Sequence, residues 1–117
     1  MNYEILKMGS LSYDNQTELE IPKGYSVFET EESWDAYLTT LSERNTQYYK
    51  ELKNFDFDFT NQDAILVTGS YFYYCCSLIT VNKVYEEETQ TVVDFTESDT
   101  GIGAAIHQAY VVLVIDK

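Results

Sequence analysis

The stretch that most constrains the fold runs over residues 64–95, AILVTGSYFYYCCSLITVNKVYEEETQTVVDF. β-Branched and aromatic side chains dominate it, and short polar or glycine-containing interruptions divide it, as in successive strands joined by tight turns. Residues 64–68 read as a first central strand ending at Gly69-Ser70. Residues 71–81 read as a long strand with apolar side chains on both faces, which needs cover on two sides or serves as a contact surface. Asn82-Lys83 fits a bulge or a tight turn, and Val84-Tyr85 continues extended. Glu86-Glu87-Glu88-Thr89 then forms a charged hairpin tip ahead of a strand over residues 91–95. A sheet is therefore the frame of the molecule.

The flanking segments supply its remaining parts. Residues 2–8 read as a first, edge strand broken at Gly9-Ser10, and residues 11–21 as a half-buried strand in which Leu19 and Ile21 oppose Glu18 and Glu20. Pro22-Lys23-Gly24 marks a turn before a short strand over residues 25–29. Thr30 is a natural N-cap, with Glu31 and Glu32 placed where the helix dipole favours carboxylates. Trp34, Tyr37, Leu38 and Leu41 then make one apolar helical stripe that belongs on the sheet, and Tyr48, Tyr49 and Leu52 imply a further helical turn or two. Phenylalanine and aspartate alternate over residues 55–59, as in a strand or an extended lead-in. Residues 97–103 are rich in turn formers and read as a flexible loop, residues 104–108 lean towards strand, and the apolar run over residues 110–115 belongs in the sheet centre. The expected fold is a single α+β domain over residues 1–117. It is mostly antiparallel sheet of about six to eight strands, partly barrel- or sandwich-like, with one main α-helix packed on it.

Bulk properties narrow the function. With 117 residues, 44% of them hydrophobic, the chain buries one core without staples. No apolar run approaches the roughly 18–20 residues that span a bilayer. The N-terminal residues lack the regions of a signal peptide, so the chain as written reads as cytoplasmic, with the cell envelope or exterior open if a leader is trimmed. Twenty acidic residues against seven basic ones give a net charge of −13, and Arg44 is the only arginine. That field disfavours nucleic acid and anionic membranes, keeps an aromatic-rich chain soluble, and favours a basic partner.

Catalytic and metal motifs are wanting. Cys75 and Cys76 are adjacent, so in a strand they point to opposite faces, and no third cysteine exists to build a disulfide framework. His107 is the only imidazole, and nothing beside the cysteines would lower a thiol pKa for a Cys-His dyad. One His and two adjacent Cys cannot ligate zinc tetrahedrally. Asp56, Asp58, Thr60, Asn61 and Asp63 space oxygens like the start of a calcium loop, but the sixth-position glycine is absent and Val67 stands at the twelfth position. No nucleotide-binding glycine motif or nucleophile elbow occurs. The expectation is a non-enzymatic protein without cofactor or metal.

The expected partner surface combines Tyr71, Tyr73 and Tyr74 with Glu86, Glu87 and Glu88: aromatic anchors beside a charged tip. Tyrosines on both faces of one strand also fit a homodimer seam. An alternative is an immunity or inhibitor protein that neutralises a basic toxin or nuclease, with Glu29, Glu31, Glu32 and Asp35, or the Glu86–Glu88 tip, standing in for phosphates. A second alternative is a small-ligand-binding domain with a pocket between helix and sheet, lined by Tyr37, Tyr73 and His107.

Four segments occur in a suggestive order: YSVFETEESW with Trp34, FDF at residues 57–59 before a strand ending in Gly69, SLITVNKVYEEETQTVVDF, and the closing QAYVVLVIDK. In that order the region from residue 25 to residue 117 resembles the C-terminal domain of the PrcB family, proteins associated with a bacterial protease complex. Where that family shows a Thr-Gly-Gly-Tyr turn this chain has Tyr73-Tyr74-Cys75-Cys76, and Ala109 replaces the proline usual near the last strand. The resemblance implies a non-catalytic, β-rich module that contacts or stabilises another protein, often outside the cytoplasm, with a protease-complex component as the partner.

Overall fold

A computed structural model describes residues 2–13, 21–72, 78–98 and 106–117. The elements in order are β1 (Tyr3–Tyr13), β2 (Gly24–Phe28), α1 (Glu31–Arg44), α2 (Thr46–Leu52), β3 (Gln62–Phe72), β4 (Leu78–Glu87), β5 (Gln90–Ser98) and β6 (Ile106–Asp116). Four strands form an antiparallel sheet in the order β1-β6-β3-β2, and β4 and β5 form a separate hairpin. The helices cover one face of the large sheet and the hairpin covers the other.

This layering explains the uninterrupted apolar run of β6. Tyr110 and Val112 enter the helix-side core with Trp34, Leu41, Tyr48 and Leu52. Ala109, Val111, Leu113 and Ile115 enter the opposite core with Ile79, Val84 and Val93 of the hairpin. A strand covered on both faces needs no polar alternation. The hairpin reaches across its face from edge to edge: the Tyr3 hydroxyl on β1 donates to the Val81 carbonyl at 3.4 Å, and the Tyr25 hydroxyl on β2 donates to the Thr91 carbonyl at 3.3 Å.

The helical stripe lies where its spacing places it, with Trp34 and Leu41 buried. Thr30 caps α1, its side chain accepting from the Ser33 amide at 3.1 Å. Asn45 then ends α1 and caps α2, accepting from the Tyr48 amide, so the further helical turns expected over Tyr48, Tyr49 and Leu52 form a short second helix beside the main one. Residues 55–59 are an extended lead-in with no strand partner, their phenylalanines packed on the helix-side core. The anticipated irregularity at Asn82-Lys83 is a bulge between Val81 and Lys83.

Several boundaries differ from the sequence reading. Among the described residues there are six strands, and neither sheet closes into a barrel. Gly9-Ser10 does not break β1, because Gly9 serves close approach: a Cβ there would lie 2.6 Å from the Tyr110 hydroxyl oxygen. Residues 11–13 extend β1, residues 14–20 lie outside the described set, and Ile21 is not in a strand. Gly69-Ser70 does not end β3, which continues through a register shift between Thr68 and Tyr71. The long strand expected over residues 71–81 is not one strand: Tyr71 and Phe72 pair with Gln108 and His107 of β6, and β4 begins at Leu78. Glu97 and Ser98, expected in a loop, belong to β5, while residues 99–105 lie outside the described set.

Candidate functional site

The side chains that stand out are carboxylates gathered at one end of the large sheet. β2 ends there at Phe28, which pairs with Ala64 near the start of β3, and the chain leads through Glu29 and the Thr30 cap into α1. Glu29, Glu31, Glu32 and Asp35 are exposed. Phe57 stands edge-on to Trp34, with ring centroids 4.9 Å apart, and this contact draws the 55–59 segment against the start of α1. The phenylalanines of that segment turn inward, so Asp56 and Asp58 face out beside the helix.

An aromatic floor of Phe28, Trp34, Tyr37 and Phe57 fixes both carboxylate-bearing segments. The Trp34 indole nitrogen is buried with no hydrogen-bond partner among the described residues, a cost that this packing offsets. Lys117 is the base placed among these acids, and it is already engaged: its Nζ donates to Asp63 Oδ1 at 2.6 Å and to the Glu29 carbonyl at 3.1 Å. The loop with calcium-like spacing is likewise occupied by itself, since Asn61 Nδ2 donates to Asp58 Oδ2 at 2.7 Å. Among the described residues no group of three or more His, Cys, Asp or Glu side chains is placed to hold a metal ion, and no helix is long and apolar enough to cross a membrane.

A second polar cluster lies under β1. Lys7 Nζ sits 2.5 Å from Glu51 Oε2, and the Tyr110 hydroxyl donates to the same oxygen at 3.0 Å. The Lys7 hydrogen bond holds the Glu51 carboxyl below its ordinary range, and the same bond raises Lys7. Burial is the main cause that raises Tyr110, followed by its bond to Glu51. This cluster locks α2 to the sheet.

The third, Glu97, is a residue sequence reasoning missed. Its side chain is only 5% exposed, and both carboxylate oxygens lie 3.0 Å from the Ser70 amide that the β3 bulge turns towards it. Lys23 approaches at 3.7 Å. Gln108, fully buried, ties the same region together by donating to the carbonyls of Ile21 and Gly69. Nothing in the run Thr96-Glu97-Ser98-Asp99 distinguishes Glu97 from a solvated turn residue.

The surface expected from sequence is only partly described. Glu86 and Glu87 end β4 and Glu88 enters the turn, all three exposed, so the tip exists as expected. Glu88 and Thr89 occupy it with φ of 49° and 68°, a left-handed pair between the Glu87–Gln90 rung. Tyr71 lies in β3, not in the strand that carries the tip, so Tyr71 and the glutamates belong to different sheets. Tyr73, Tyr74, Cys75 and Cys76 lie outside the described residues. Tyr37 does line a cleft between α1 and the sheet, of about 190 Å³, with Lys23, Tyr25, Leu66 and Thr68. His107 does not line it, and the cleft is smaller than the roughly 300 Å³ at which ligand pockets begin.

Compared with known proteins, the chain matches no family model, no curated protein and no solved structure.

Proposed function

We propose that the protein is a non-enzymatic binding module whose acidic end docks on a basic partner protein. The observation that carries this reading is the setting of Glu29, Glu31, Glu32, Asp35, Asp56 and Asp58 on two segments fixed by one aromatic floor, with the neighbouring Lys117 already engaged. Carboxylates held on rigid elements lose little freedom when a cationic surface arrives, and their summed field steers that arrival. The module acts by association and carries no chemistry of its own. A PrcB-like role, contacting or stabilising a protease-complex component, uses this surface; so does neutralisation of a basic toxin or nuclease, and the partner's identity separates the two.

The test is co-purification from the native host at about 0.1 M and about 1 M salt, between which the screening length falls from about 10 Å to about 3 Å. The wild-type chain is expected to retain a basic protein at low salt and release it at high salt. A chain carrying E29Q, E31Q, E32Q and D35N is expected to retain none. Retention that ignores both salt and these substitutions, or no retention at all, overturns the reading.

A further inference from the structure

We propose that the free edge of β1 pairs with β1 of a second copy of this chain, in one definite register, and joins two four-stranded sheets into a continuous one. Among the described residues β6 is the only strand bonded to β1, so the opposite edge of this 11-residue strand offers unpaired backbone groups. Such an edge is a template for a further strand.

The apolar surface is concentrated there. Among the described residues the exposed large hydrophobic ones are Ile5, Leu6, Met8, Leu78 and Tyr25, and the first three lie within four positions of β1. Leu78, 55% exposed, faces Met8, 52% exposed, across a cleft of about 230 Å³ floored by Ala109 and Val111.

Charge selects the occupant. The chain carries −13, yet the only charged residues of β1 are Glu4 and Lys7, which cancel. A basic partner is drawn to the acidic end, whereas an edge without net charge is where two copies of an acidic chain repel each other least; β2, the other such edge, carries no charge either but also no Glu–Lys pair to answer itself across a two-fold axis.

The bulge selects the register. Glu4 pairs with Val114 and Lys7 with Val112, positions two apart on β6 that share the helix-side face. Tyr3 pairs with Ile115 and Met8 with Val111, both on the hairpin side. In a regular strand positions 4 and 7, or 3 and 8, face opposite ways; the shift between Ile5 and Lys7 turns each pair to a common face. A two-fold axis between Ile5 and Leu6 therefore sets Glu4 opposite Lys7 of the second copy, and Tyr3 opposite its Met8, twice each. The next register with matching faces sets Glu4 opposite Gly9 and leaves its charge unanswered. Lys7 has three donors, so it can hold Glu51 of its own copy and Glu4 of the other. Because α1 follows β2, the strand at the opposite edge of the sheet, the acidic ends of both copies stay open.

Sedimentation velocity over a dilution series from millimolar to micromolar tests this. The wild-type chain is expected to dimerise reversibly. Met8→Lys and Glu4→Lys, both at exposed positions, are each expected to weaken dimerisation at least about tenfold while circular dichroism and the urea midpoint stay unchanged. Glu4→Lys and Lys7→Glu chains are each expected to be monomeric alone and to form a heterodimer when mixed, which only the stated register produces. If Lys7→Glu fails to fold for want of its Glu51 partner, the other two variants decide. A wild-type chain that is monomeric throughout, or a dimer indifferent to Met8→Lys and Glu4→Lys, overturns the proposal and leaves the acidic-end reading standing.

Discussion

Replacing Gly69 with alanine should damage the protein through one residue, Glu97. A Cβ at position 69 would meet the Glu97 carboxylate, its Cδ at 2.8 Å with an oxygen nearer still, and the nearest atoms are all from that side chain. The carboxylate has little room to retreat, being 5% exposed and bonded to the Ser70 amide. Displacing it forfeits a charge-assisted hydrogen bond, about 1.5–3 kcal/mol. Overpacking adds about 1–3 kcal/mol. Alanine in a strand returns about 0.5–1 kcal/mol relative to glycine. The net loss is roughly 2–5 kcal/mol, a large part of the 5–15 kcal/mol typical of a domain. Lys23, 55% exposed and 3.7 Å away, changes this sum little.

Equilibrium urea unfolding reads the effect as a fall in midpoint on the order of 1–3 M. The decisive measurement repeats the substitution in a Glu97→Ala background. That background should itself be destabilised by about 1–3 kcal/mol, because the part-buried Ser70 amide loses its acceptor. There, however, Gly69→Ala should cost nothing or stabilise slightly, since the obstacle is gone. Equal losses from Gly69→Ala in the two backgrounds would refute the reasoning and place the cost in the backbone of β3.

Two further perturbations follow from the geometry. The turn pair Glu88 and Thr89 holds left-handed φ values that asparagine and glycine adopt without strain, so Glu88→Asn with Thr89→Gly should stabilise the protein by about 1–2 kcal/mol and raise Tm by roughly 4 °C per kcal/mol; a lower Tm would sink the argument. The cluster under β1 sets a pH dependence whose sign differs between its members. Glu51 is lowered from 4.5 by Lys7, so its contribution is complete above that value and is lost as pH falls through the lowered one. Lys7 is raised from 10.5 and Tyr110 from 10.0, so their contributions are complete below about pH 10 and are lost as pH climbs through the raised values. Urea midpoints of the wild type and Glu51→Gln should therefore differ at neutral pH and converge in acid below 4.5; a constant difference would show that the pair is not coupled to folding.

The parts of this fold legible in the sequence are those fixed by local periodicity. Thr30 and the Trp34, Tyr37, Leu38, Leu41 stripe announce α1, because a cap and a 3.6-residue repeat are properties of a short window. The run over residues 110–115 announces a strand in the sheet centre for a like reason, an unbroken apolar window. Gly9 and Gly69 mislead, since a glycine that makes room for Tyr110 or Glu97 looks the same in sequence as one that breaks a strand. Tyr48, Tyr49 and Leu52 announce α2 by the same local spacing, while the role of Asn45 as its cap is read only from the structure. Of the acidic end, Glu29, Glu31, Glu32 and Asp35 are visible as a cluster; that Asp56 and Asp58 join them depends on the contact of Phe57 with Trp34, which no local pattern encodes. Residues 2–8 read as an edge strand and β1 is one, but that β6 is the strand it pairs with among the described residues is a property of the finished sheet.

The placement of β6 between β1 and β3 also governs when the sheet can assemble. Tyr3 waits for Ile115 and Leu11 for Gln108, so β1 has no hydrogen-bonded neighbour until a segment about a hundred residues downstream has been synthesised. β3 meets β2 earlier, but its other edge waits for the same strand. Among the described residues, the β4–β5 hairpin and the α1–α2 pair are built from neighbours in the chain. A nascent chain that stops short of β6 therefore holds a hairpin, two helices and the β2–β3 pair without the strand that joins them to β1, and its Ile5, Leu6 and Met8 lie on an unpaired strand, a state suited to chaperone binding and prone to aggregation.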